Sequence, residues 1–368
     1  MIVFFKKVSL PTITAERRKH ILSKLLSKNI TTAITYFKSL TSEEQLDPSI
    51  YTTVLERRIS VFKYLPERVR NDKDVVLNIV NGMPKNGRRR QNKPAPLQLQ
   101  YASDDLKADR DVVMAAVKKS GRALEYASTA LKDDREIVME AVKQYALALD
   151  YASDDLKADR EIVMEAVKQD GKAIDYASAD LKDDRAFMLA AVKEYEDALD
   201  YASSALKGDR EIVLAAVKQN GWALRYAAIA LKADREFVKE AVKQNGNVLA
   251  YASPTLKGDR EVVMEAVKQD GRALDYASAD LKADREFVKE AVKQNRRAFV
   301  FVSADFRGDR EIVMEAVKQD GWALQYASNE LKGDREVVME AVKQHWGALL
   351  YASVDFKGDR EIMLAAVK

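Results

Sequence analysis

From residue 101 to residue 368 apolar and polar positions recur with a period of 25 residues. In YASDDLKADREIVMEAVKQDGKAID (151–175) the segment IVMEAVK spreads apolar groups around a wide arc of a helix. A helix apolar over so much of its circumference touches neighbours on more than one side. A shorter apolar run follows, as in Ala123, Leu124, Tyr126 and Ala127, and predicts a brief second helix ending in Tyr-Ala-Ser. Tyrosine opens the repeat at 101, 126, 151, 176, 201, 226, 251, 276, 326 and 351, with Phe301 in the remaining slot. Neither helix is long enough to stand alone in water, so stacking has to supply the stability. The pattern predicts an all-α fold: an α/α solenoid of about eleven to thirteen short two-helix repeats behind an N-terminal helical cap.

The punctuation agrees. The ninth place of every repeat is Asp, from Asp109 to Asp359, and Arg always follows. Asp accepts from the free amides of a first turn, so each long helix is expected to start there. Glycine at 121, 171, 221, 246, 271 and 321 reads as a left-handed helix end. Ala146, Glu196, Arg296 and Trp346 break that rule and are expected to shift the turn. The Asp-Arg pair occurs eleven times and reads as a charge ladder between stacked repeats.

Before residue 101 the pattern degrades. Residues 1–46 read as a basic N-terminal cap, with a helix from Thr14 to Ser27 and another from Thr31 to Leu40. Residues 47–100 hold two degenerate repeats, begun by Asp47-Pro48 and by Asp72 with Val75, Val76, Ile79 and Val80. A basic loop at 82–96, GMPKNGRRRQNKPAP, is inserted between them and the regular array, and carries Lys85, Arg88, Arg89, Arg90 and Lys93.

Composition changes this picture in one respect. The chain is 47% hydrophobic and has no cysteine, which fits a large core and excludes a disulfide framework. A net charge of +3 hides an asymmetry. Residues 1–100 carry 19 Lys and Arg against 8 Asp and Glu, leaving 42 against 50 for residues 101–368. A basic head thus precedes a mildly acidic array. The first five residues are apolar, too short a run for a signal peptide or a membrane span, so a soluble, cytoplasmic protein is expected.

Catalytic chemistry has little to stand on. There are two histidines, His20 and His345, and no metal-ligand spacing, phosphate loop or nucleophile–base pair, so no enzyme activity, cofactor or metal is expected. Variation between repeats is more informative. The place after the glycine holds Arg122, Leu147, Lys172, Asp197, Trp222, Asn247, Arg272, Arg297, Trp322 and Gly347. Three residues on come Glu125, Asp150, Asp175, Asp200, Arg225, Ala250, Asp275, Val300, Gln325 and Leu350. Four further on are Asp104, Thr129, Asp154, Ala179, Ser204, Ile229, Pro254, Ala279, Ala304, Asn329 and Val354. Spacing of three then four puts these places on one helix face, opposite the unvarying Ala-Leu, and a face free to differ is one that does not pack. The candidate partner-binding residues are therefore Trp222, Trp322, Arg122, Lys172, Arg225, Arg272, Arg297, Asp150, Asp175 and Asp200, with Trp222 and Trp322 as anchors. Trp346, in the glycine place, is expected to pack.

The segment DREIVMEAVKQDGKAIDYASADLKDDR (159–185) closely resembles the repeat of a family catalogued as domain of unknown function 4116, found in bacteria, protists and large viruses. The likeness runs over Tyr101–Lys368 and, weakly, Asp47–Asn81. It implies an all-helical repeat and a host-associated source; the family has no established activity, so it assigns no site residues. The resulting expectation is a non-catalytic scaffold that binds a protein or peptide along its variable stripe, a host-interaction factor. Two other readings stand beside it. One is nucleic-acid binding through the basic head and the 85–93 loop, against which the acidic stripe argues. The other is end-to-end self-association through the apolar flank Ile362, Met363, Leu364 and Val367.

Overall fold

Each ten-residue helix exists because Asp begins it and stacking buries it. In the computed structural model, which describes residues 13–25, 30–47, 49–50, 59–82, 98–356 and 358–367, helices and turns account for all regular structure, with no strand among the described residues. The chain divides into two units, Met1–Leu181 and Lys182–Lys368.

In the first unit Asp109 Oδ1 accepts the amides of Asp111 and Val112 (both 3.1 Å) and starts the helix Arg110–Lys119. That helix buries Val112, Val113, Ala116 and Val117; its successor Arg135–Gln144 buries Ile137, Val138, Ala141 and Val142. The expected second helix is a six-residue 3₁₀ segment, Gly121–Tyr126, which buries Ala123 and Leu124. Ser120, just before it, is extended and separates it from the long helix. The connection to the next Asp is itself one helical turn, Thr129–Lys132, capped by Ser128 and anchored by buried Leu131. The 25-residue repeat thus contains three helical pieces.

Successive repeats are also stitched through the backbone. The amide of Ser128 donates to the Lys107 carbonyl and that of Ser153 to the Lys132 carbonyl, both at 2.9 Å.

The N-terminal part of this unit is mostly helical where it is described. Thr14 receives the Arg17 amide at the start of the helix Ala15–Leu25, and Ile30–Ser39 follows. A capping box of Thr41 and Glu44 opens a further turn, and Glu44 and Asp47, both buried, hold Arg17 (2.7 Å) and Arg18 (2.8 Å). Lys73, at the start of the helix Lys73–Gly82, pairs with Asp109 (2.7 Å) and Asp111 (3.0 Å), the role arginine has later. Pro48 and the basic residues Lys85, Arg88, Arg89, Arg90 and Lys93 lie outside the described residues.

The second unit repeats the same scheme. Its long helices run from Arg185–Glu194 to Arg360–Val367. Backbone stitches recur from Ser203 to the Lys182 carbonyl (2.9 Å) through Ser353 to the Lys332 carbonyl (2.8 Å). The break in this unit is at Ser303, which follows the altered sequence RRAFVFV (296–302). At the last helix Ile362 is fully buried, against expectation, because it occupies the first core position of its turn. Met363 and Leu364 are exposed, and the Val367 side chain lies outside the described residues.

The glycines behave differently from the expected helix ends. The cap residues before them are extended, with Asn245 at φ −157° and ψ 114°, and the glycines open the 3₁₀ segments with no left-handed backbone. Their requirement is space. A Cβ on Gly246 would stand 2.8 Å from the Ala266 carbonyl oxygen of the next helix, and Gly121 and Gly321 meet Ala141 and Ala341 in the same way.

Candidate binding surface

The charge ladder organises one side of the array. In the first unit Arg110 reaches Asp134 (2.9 Å) and Glu136, and Arg135 reaches Asp159 (3.0 Å) and Glu161. In the second, Arg185 bridges Asp209 (2.7 Å) and Glu211 (2.5 Å), and Arg235, Arg285 and Arg310 repeat the bridge. Where the next helix carries Phe, the arginine also lies over the ring: Arg210 is 5.0 Å from Phe237 and Arg260 5.1 Å from Phe287. These arginines are engaged by their neighbours, which leaves no arginine stripe for phosphates here.

At the place after the glycine and the one three residues on, the variable stripe is exposed at fewer than half of its residues, the others being partly covered or buried. Asp150, Lys172 and Asp175 are exposed in the first unit; Asp200, Arg225, Arg272, Asp275 and Arg297 are exposed in the second. Lys172, Arg272 and Arg297 have no ion pair among the described residues. Arg225 does: it lies 4.4 Å from the Tyr226 ring, bonds its hydroxyl, and reaches Asp197 at 3.1 Å.

The first place of the stripe partly packs, and this the sequence did not disclose. Trp222 is half-buried, its ring edge-on to Tyr251 (5.7 Å) and Tyr276 (6.2 Å). Trp322 is also half-buried, 5.8 Å from Tyr351 and 4.5 Å from His345. Gly347 makes the room: a Cβ there would stand 2.9 Å from the Trp322 ring. Arg122 joins the same kind of row, 5.6 Å from Tyr145. Trp222 and Trp322 are therefore only partly available as anchors. Trp346 reverses its expectation. It is 66% exposed, because with Trp in the glycine place its side chain is turned out and only stacks on His345 at 5.9 Å.

Burial raises the phenols of Tyr126, Tyr151 and Tyr276 above their ordinary value, so these hydroxyls remain donors at neutral pH. The row was recoverable in principle, since Trp222 and Tyr251 are one period plus four residues apart. Among the described residues no group of three or more His, Asp or Glu could hold a metal ion, and no helix is long and apolar enough to cross a membrane.

Repeats that share one core, cap their own helices and ion-pair with the next repeat define a helical-repeat protein of the solenoid class. The model for "Domain of unknown function (DUF4116)" matches in tandem at residues 91–132, 134–182, 184–232, 209–257, 234–282, 259–307, 284–332, 309–357 and 334–368. The chain belongs to that family. Most matches advance by one period while spanning about two, as expected of a family unit drawn around a pair of repeats. Comparison with the curated proteins gives no match.

Proposed function

We propose that this chain is a non-catalytic scaffold that binds an extended protein or peptide segment along the variable stripe. One observation carries the reading. The residues that do not change between repeats are consumed by capping, core and ladder, whereas Lys172, Arg272 and Arg297 vary, are exposed and have no ion pair among the described residues. In the second unit, Arg297 and half-buried Trp322 line the same cavity, and unpaired charge beside an aromatic edge has the composition of a recognition surface. Exposed acids at stripe places, Asp150 in the first unit and Asp200 and Asp275 in the second, disfavour a polyanion as occupant. Both Arg17 and Arg18 of the basic head are engaged by carboxylates, which weakens the nucleic-acid alternative.

The test is binding of a displayed peptide library to wild type and to a Lys172→Ala/Arg272→Ala/Arg297→Ala variant. Peptides enriched on wild type that no longer bind the variant support the reading. Equal enrichment on both, or binding of an oligonucleotide but no peptide, overturns it.

A further inference from the structure

The repeats are not equally regular, and their largest departure is concentrated in one place. Where other repeats read GRALDYASADLKADR (271–285), the next reads RRAFVFVSADFRGDR (296–310). Glycine becomes Arg296, the core Leu becomes the fully buried Phe299, and the usual acid becomes Val300. Ser303 loses the backbone stitch, while Arg307 replaces lysine and donates to the carbonyls of Val300 (3.0 Å) and Val302 (3.1 Å). A structural lapse would leave these changes scattered. Three of them, Arg296, Phe299 and Val300, line one cavity of about 150 Å³, together with Arg297, Asp320, Trp322 and Gln325 among others.

The charges in this cavity are unequal. Arg296 is held by Asp320 at 2.9 Å, and Asp320 also receives the Trp322 amide at 3.0 Å, so the two opposite charges are spent on each other. Arg297 is exposed, its backbone amide donates to Asn245's counterpart Asn295, and its guanidinium has no ion pair among the described residues. The stripe place that holds Asp275 one repeat before is here Val300, and Gln325 one repeat on. This place is therefore uncharged in the arginine's own repeat and in the next. Val300 and the Trp322 ring supply apolar wall, and Gln325 an amide donor.

We propose that this cavity receives a glutamate side chain of the extended segment bound by the stripe: its methylenes lie on Val300 and Trp322, and its carboxylate meets Arg297. The proposal rests on the peptide-binding reading above and names its specificity pocket. Size decides against larger anions, since pockets for nucleotide-sized ligands run to roughly 300–1,000 Å³. Charge complementarity decides for a carboxylate, because a planar guanidinium pairs bidentately with one.

The experiment selects random decapeptides displayed on phage against the full chain, then measures binding of labelled synthetic peptides to wild type and Arg297→Glu. Arg297 is exposed and outside the core, so R297E is expected to melt as wild type does, and R297A serves as a second variant. The expected result is a common Glu beside an apolar residue in the recovered peptides. Affinity should fall about tenfold or more on R297E, and equally when the peptide Glu becomes Gln. A Glu→Lys peptide should regain affinity for R297E, the signature of a direct pair. Peptides that bind wild type but change less than about twofold on R297E and R297A overturn the pocket while leaving the scaffold reading intact. The pocket is overturned as well if amidating the peptide C-terminus, and not replacing Glu, abolishes binding. Loss of the scaffold reading looks different: no peptide is enriched by wild type over the triple stripe variant.

Discussion

Asp209 shares its carboxylate between two repeats. Oδ1 accepts the amides of Glu211 and Ile212 in its own helix (both 3.0 Å), Oδ2 takes Nε of Arg185 from the repeat before at 2.7 Å, and Nη2 of the same arginine reaches Oδ1 at 3.4 Å. Capping and stacking thus meet on one side chain. Replacing Asp209 by Asn keeps the capping oxygen and removes the charge; replacing it by Ala removes both. Asp209→Ala is expected to cost about 1 kcal/mol through the lost cap, and Asp209→Asn less, because the arginine partner is solvent-exposed. Urea melts give the order, and hydrogen exchange should place the lost protection in the helices Arg185–Glu194 and Arg210–Gln219.

Acid should unfold the array in a defined window. The carboxyl groups of Asp209 and Asp259 are held below their ordinary value first by Arg185 and Arg235, and those of Asp234 and Asp284 first by the amides of Phe237 and Phe287. A depressed folded-state value contributes stability that is present above the unfolded value, about 4, and lost as pH falls through the folded one. Thermal midpoints are expected to stay level above about pH 5 and to drop below about pH 4. High salt should shrink the arginine-dependent part and leave the amide-dependent part. A fall beginning near neutrality would contradict this assignment.

The glycines divide by space. Gly246→Ala drives a methyl against the Ala266 carbonyl oxygen and is expected to cost about 1–3 kcal/mol. Gly333→Ala meets nothing within 4 Å and is expected to be neutral or mildly stabilising. Paired melting curves settle the contrast.

The three tryptophans should separate by accessibility. With Trp222 or Trp346 kept as the single Trp and the others replaced by Phe, acrylamide is expected to quench Trp346 strongly and Trp222 weakly, and Trp346 to emit to the red. Trp222→Ala is expected to destabilise by about 2 kcal/mol, since the Tyr251 and Tyr276 edges lose their partner. Trp346→Ala should stay within about 0.5 kcal/mol.

What the sequence disclosed follows from what a period can encode. Asp109, Arg110, Val112 and Val117 recur at fixed places, so the cap, the ladder and the core face were legible from their intervals. Lys73, whose ammonium pairs with Asp109 and Asp111 where later repeats use arginine, was not singled out. Distances between repeats were not. The glycine at 246 could be read as a helix end, but its reason is the height of the Ala266 carbonyl, which only the stack determines. The same holds for Trp322, whose cover by Gly347 and Tyr351 depends on where the next repeat lands. Val300 and Gln325 stood in the variable stripe without distinction until the cavity joined them to Arg297.

The shared carboxylate has a consequence for how such a chain changes over time. Each joint is made from the same Asp on one side and the same Arg on the other, as in Arg185–Asp209 and Arg310–Asp334. A 25-residue segment duplicated or deleted in register leaves two compatible ends, whatever the flanking copies are. Length is therefore easy to vary and recognition is not, since a deletion through 296–325 would remove the irregular joint along with its cavity. Relatives of different length are expected to differ by whole periods, with their irregular joints kept intact.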